Sequence, residues 1–98
     1  LGGTVVQVYV AVFGADTRAQ ATALAAELRA AGVTTELALT DKGVGKQMGA
    51  ADKKGVPVVA LLGADEIAAG VVKLKRLADG AEVTVPRDSA AQAVKGLL

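Results

Sequence analysis

"VVALLGADEIAAGVVKLKRLADGAEVTV", from Val58 to Val85, decides how this chain folds. Its first part, taken from Val56 through Leu62, is wholly apolar apart from Pro57, as a strand must be when helices cover both of its faces. Pro57 has no backbone donor and therefore belongs among the first residues of that strand. Gly63 ends the run, and Asp65 to Ala69 leave room for about one helical turn before Gly70. Beyond Gly70 the pattern changes. Val71 to Leu77 and Glu82 to Val85 read as short strands joined through Asp79-Gly80, a pair suited to the positive backbone angles of a tight hairpin. The sheet therefore becomes antiparallel at this end.

Working outward toward the N-terminus, Val5 to Phe13 ("VVQVYVAVF") is apolar on both alternating faces except at Gln7, a second strand buried between layers. Asp16 is placed to cap a helix whose Ala21, Leu24, Ala25, Leu28 and Ala31 share one face, with Gly32 at its C-terminal stop. From Val33 to Leu39 apolar and polar residues alternate, so this strand is less buried and reads as a sheet edge. Lys42 to Lys54 reads as a second helix with Val44, Met48 and Ala51 inward and Gly55 as its stop. Its interior glycines each cost on the order of 1 kcal/mol against alanine, so packing must hold it. At the other end Asp88 is placed to cap a last amphipathic helix carrying Ala91, Val94, Leu97 and Leu98.

Strand, helix, strand, helix, strand with right-handed crossovers gives parallel strands in spatial order 2-1-3, which the hairpin extends to 2-1-3-4-5. The expected architecture is a three-layer α/β/α domain: a five-stranded mixed sheet, about three helices and one short helical turn. Its crevice lies beyond the carboxyl ends of the first and third strands, beside Gly14 and Gly63, with Glu66 near the rim.

The 98 residues, just over half of them apolar, suffice for one domain. The chain opens on Leu1 without a signal-peptide or membrane-span pattern, and reads as a single-domain piece (1–98) of a larger soluble protein. Cysteine and histidine are both missing, which removes disulfides, ordinary zinc sites, and Ser-His-Asp and Cys-His nucleophilic chemistry from this chain. A cysteine-free chain fits a reducing compartment. The net charge of +1 argues against a strongly basic nucleic-acid binder.

Several charged clusters invite functional readings. "GVGKQMG" superficially suggests a phosphate loop, but Thr40 and Gln47 stand where a glycine and a magnesium-binding hydroxyl are needed. "GADTRA" after the first strand is not a dinucleotide fingerprint. Lys46, Gln47, Lys53 and Lys54 have the ordinary reading of a solvated helix face. Asp65 and Glu66 could be an acid/base pair, but at the start of a helical turn adjacent acids usually serve as caps or dipole partners. Lys73 and Lys75 project from one face of their strand, with Arg76 opposite, and a positive edge of this kind usually guards against strand addition. Tyr9 and Phe13 lie in the buried first strand, so RNA would have to be recognised by hydrogen bonds rather than by stacking.

The order of motifs nevertheless resembles the C-terminal anticodon-binding domain of class IIa aminoacyl-tRNA synthetases, most closely that of histidyl-tRNA synthetase. The matching stretches are "VYVAVFG", "ALAAELRAAGV", "GKQMGAADKKG" and "VVALLGADEIAAGVVKLKRLADGAEVTV", nearly the whole chain. Within them Lys46-Gln47-Met48 with Ala51-Asp52, the turn Gly63-Ala64-Asp65-Glu66, and Lys75-Arg76-Leu77 with Gly80 and Glu82 carry the family pattern. Gly49 and Ala81 depart from it, and "GVP" at 55–57 is similar to the threonyl and prolyl relatives.

The resemblance implies a parent enzyme that joins histidine to its tRNA with ATP and magnesium in a separate catalytic domain. This piece would hold no cofactor of its own, and its partner would be the anticodon stem-loop of tRNA in the cytoplasm. The parent would be a homodimer and the isolated domain a monomer, with no membrane contact. Family positions nominate Glu66 and Lys75 as base readers, Asp41 and Gln47 as neighbours of the same region, and Lys46 and Lys73 as phosphate neighbours. A threonyl, prolyl or glycyl parent, a synthetase-like regulatory or protein-interaction module, and a flavodoxin-like small-ligand domain stay open on the residues alone.

Overall fold

In a computed structural model that describes residues 6–40 and 43–98, the apolar run before Gly14 becomes β1 (Val8–Ala11), buried at every residue. A 3-10 turn (Ala15–Thr17) leads into α1 (Arg18–Ala30), whose Ala21, Leu24, Ala25 and Leu28 form the buried stripe that the spacing predicts. Asp16 is not the cap. It lies within the 3-10 turn, and the Thr17 hydroxyl instead accepts from the Gly14 N–H and donates to the Gly14 carbonyl. Gly32, with φ of +87°, supplies the expected left-handed stop.

β2 (Thr35–Leu37) is followed by α2 (Val44–Lys53), β3 (Val58–Leu61), the short α3 (Ala64–Ala69), β4 (Val71–Arg76), β5 (Glu82–Pro86), a second 3-10 turn (Arg87–Ser89) and α4 (Ala90–Leu97). The five-stranded sheet has the order β2-β1-β3-β4-β5. β1 pairs in parallel with β2 and β3, while β4 runs antiparallel to β3 and β5 antiparallel to β4. The expected starts of the first strand at Val5 and the second helix at Lys42 lie outside the described residues.

The crossover from β1 to β2 and the one from β2 past β1 to β3 run in opposite directions across the sheet, so right-handedness puts α1 and α2 on its opposite faces. The pairing register shows which residues each face receives. Val10 sits beside Ala60 and Ala60 opposite Leu74, so Val8, Val10, Val58, Ala60, Val72 and Leu74 line one face, all fully buried. There α4 packs on β4 and β5 and touches α1. The opposite face carries Tyr9, Ala11, Val59 and Leu61, then Lys73 and Lys75 across the β3–β4 pairing. α2 packs there against β1.

Three local readings need correction. β2 stops at Leu37, so Leu39 leaves the alternation and is 97% exposed instead of inward. The hairpin is a five-residue connection rather than a tight two-residue turn. Only Gly80 takes a positive φ (+72°), its N–H bonds the Arg76 carbonyl, and the Asp79 carboxylate accepts from the Ala81 N–H. Asp88 does not cap α4 either, because Arg87–Ser89 form the turn ahead of it and no side chain caps the helix. As expected, β2 is an edge strand, and Arg29 donates through Nε and Nη2 to the Thr35 carbonyl there, which blunts the edge.

Candidate nucleic-acid interface

Gln47 is the residue whose role changes most between sequence and structure. The sequence places it on a polar RNA-facing surface, yet it is 2% exposed and turned toward the sheet. Its Nε2 donates to the Val12 carbonyl at 2.8 Å, and its Oε1 accepts from the Val12 N–H at 2.9 Å. The cause lies in the strand register. Val8 N–H bonds the Thr34 carbonyl and Ala38 N–H bonds the Val10 carbonyl, so alternate residues of β1 aim their backbone groups at β2. β2 has ended by the level of Val12, and the Gln47 carboxamide supplies the donor and acceptor that a further strand residue would have offered. Gln47 is therefore a clamp that holds α2 to the end of β1, not an RNA contact.

The clamp leaves Phe13 as the next residue out, at the carboxyl end of β1. The expectation that this ring is buried is wrong: it is 41% exposed, because β1 has already ended and the chain turns away at Gly14. Phe13 shares an open hollow with Leu61, Ala64, Asp65, Glu66 and Lys73, with Gly63 at its floor. A Cβ at Gly63 would lie 3.2 Å from the Phe13 ring and 3.0 Å from the Glu66 carboxylate, so any other residue there would push ring and carboxylate back by a few tenths of an ångström.

Glu66 has two oxygens with different duties. Oε1 accepts from the Gly63 N–H at 2.9 Å and so caps α3, while Oε2 bonds no described residue. Lys73, opposite Leu61 and Thr84 in the sheet, is half-buried and forms no ion pair with any described residue. Lys75 projects from the same face two residues on, 3.9 Å from Glu82, its cross-strand neighbour. A contact this long and this wet contributes little to stability, leaving the ammonium able to change partners. Lys46 is exposed on α2. Asp41 lies outside the described residues. Glu66 and Lys73 thus meet in one hollow, Lys75 continues the same face, and Lys46 lies on the neighbouring helix.

Among the described residues, the one large shift in acidity lies at the hairpin, away from this hollow. The Arg76 guanidinium grips the Asp79 carboxylate through two hydrogen bonds of 3.1 and 2.8 Å, and with the Ala81 N–H it holds that carboxyl at about 2. Among the described residues, no group of three His, Cys, Asp or Glu could hold a metal ion, and no helix is long and apolar enough to cross a membrane. The hollow offers carboxylate acceptors, an ammonium donor and an aromatic face. Such a set is suited to hydrogen bonding and stacking. It lacks the paired base and nucleophile of a covalent catalyst.

A family described as "Anticodon binding domain" matches residues 7–97. The chain belongs to that family. Among its relatives, a histidine–tRNA ligase of Rhodococcus erythropolis is 41% identical over 83 residues, which is 85% of this chain and 20% of that protein. One of Stenotrophomonas maltophilia is 38% identical over 93 residues, 95% of this chain and 20% of the relative. The crystal structure of histidyl-tRNA synthetase from Nostoc sp. PCC 7120 superposes with a TM-score of 0.91 at 32% identity, covering 95% of this chain and 22% of that one. The chain thus spans about one fifth of the length of these relatives. Both the resemblance to an anticodon-binding domain of the histidyl-tRNA synthetase kind and the expected five-stranded order are borne out.

Proposed function

We propose that this domain holds the anticodon loop of a histidine tRNA for a parent histidine–tRNA ligase working in the cytoplasm. The observation that carries the reading is the half-open sheet face, where Glu66, Lys73 and Lys75 stand beside an exposed aromatic in a chain of the anticodon-binding family. The parent's reaction would consume ATP with magnesium in a separate catalytic domain. Its contribution is positional. Holding the loop fixes where the tRNA's acceptor end arrives, and binding energy is used for orientation and choice.

Glu66 Oε2 accepts from base amino groups, Lys75 donates to an acceptor edge such as that of guanine, and Lys46 and Lys73 neutralise phosphates. With so few cations the grip on RNA is weak. Titrating tRNA binding against salt should give about two to four phosphate contacts and a log-log slope of about −2 to −3. A slope near zero would remove the RNA reading. The isolated domain is a monomer and the parent a homodimer, and sedimentation of the same samples at micromolar concentration checks the first point.

A further inference from the structure

We infer that Phe13 is a stacking platform for one unstacked base of a single-stranded RNA loop, which rests on the anticodon-loop reading above. The sequence of causes begins in the strand. β1 buries all of its own residues, and Phe13 would be expected to follow Val12 inward were the sheet to continue. Instead β2 has ended, Gln47 ties off the Val12 backbone from the α2 side, and Phe13 is set on the rim with 41% of its surface in solvent. Exposing a ring in a chain with one Phe and one Tyr wastes burial that the core could use.

The position is fixed as well as open. Gly63 packs against the ring so closely that a Cβ there would push the ring back by a few tenths of an ångström, and Gln47 holds the preceding residue, Val12, at both its N–H and its carbonyl. Around the ring lie Lys73 and a carboxylate oxygen of Glu66 that bonds no described residue. A nucleotide offers the complement of each. Its base has a π face for Phe13, its edge has N–H donors for the carboxylate, and its phosphate has the charge for the lysine. Neither an apolar peptide nor a free anion would use all three.

The chain has no tryptophan, so Phe13→Trp places its sole indole in the hollow, which can be excited selectively over Tyr9. A histidine-tRNA anticodon stem-loop should quench the emission of this variant. A stem-loop made abasic at one anticodon position should bind without quenching. Phe13→Ala should weaken the intact stem-loop about 5- to 100-fold, with its thermal melt close to wild type, and the abasic change should then cost nothing further. Wild-type affinity of Phe13→Ala, or equal quenching by every abasic stem-loop, overturns the platform while leaving the anticodon reading intact. If wild type binds no stem-loop at all, the anticodon reading falls and the platform with it.

Discussion

The parallel half of the sheet and its antiparallel half solve burial in different ways. β2, β1 and β3 are joined by crossover helices, so β1 and β3 are closed on both faces and buried at every residue. β4 and β5 are joined by a hairpin and need cover on one face only. Val72 and Leu74 are buried there, while Lys73 and Lys75 stay half-exposed on the other side. The difference teaches where a binding site can be placed cheaply. Charged side chains would be ruinous within the closed half, but one strand further they stand in water on a rigid frame. The proposed interface sits on the seam, where the closed half supplies Phe13 and Gly63 and the open half supplies Lys73 and Lys75.

The largest effect should come from breaking the closed half at its clamp. Gln47→Leu keeps the volume of the side chain but leaves the Val12 N–H and carbonyl unpaired in a buried site. The expected loss is about 2–6 kcal/mol of stability, read from denaturant melts, since each of the two orphaned buried groups costs about 1–3 kcal/mol. A melt within error of wild type would show that Gln47 is not the clamp described here.

On the open half the same kind of surgery should leave stability nearly untouched and change RNA binding. Glu66→Gln keeps an acceptor for the Gly63 N–H but loses the carboxylate, so it should cost about 1–3 kcal/mol against the matched anticodon and much less against a swapped one. Lys75→Ala should behave in the same way. Lys73→Ala should weaken both RNAs equally, as a phosphate neighbour does. Equal losses on both RNAs for all three variants would collapse the distinction between readers and neighbours.

How far each half was legible follows from the same contrast. Strand order, helix count and the switch to antiparallel pairing were readable because apolar runs, glycine stops and connection lengths are local signals. The inward turn of Gln47 was not, because it depends on β2 ending two residues before Leu39, a fact about a distant strand. Periodicity on α2 could have hinted at it, since Gln47 lies four residues before the buried Ala51. Phe13 was misread for a related reason: an apolar run gives no mark of where pairing stops. Its position directly before Gly14, where the chain must turn, was the available signal.

The smallest effect belongs to the hairpin tip. Arg76 and the Ala81 N–H lower the Asp79 carboxyl to about 2 from 3.8, so it binds protons less readily folded than unfolded. Its contribution is therefore present above the unfolded value and is lost as pH falls toward 2. Asp79→Asn should lower the melting temperature slightly at pH 6, and that difference should fade as the pH approaches 2. An unchanged difference across that window would mean that charge is not what Asp79 contributes.

Amide chemical-shift mapping of the isotope-labelled domain during titration with an anticodon stem-loop tests the location of the interface most directly. The expected shifts gather at Phe13 and Gly14, at Gly63 to Glu66 and along Lys73 to Lys75, with the outer surface of α1 and α4, around the Arg87–Glu27 ion pair, unmoved. Shifts confined to that α1–α4 surface, with the seam silent, would contradict the assignment.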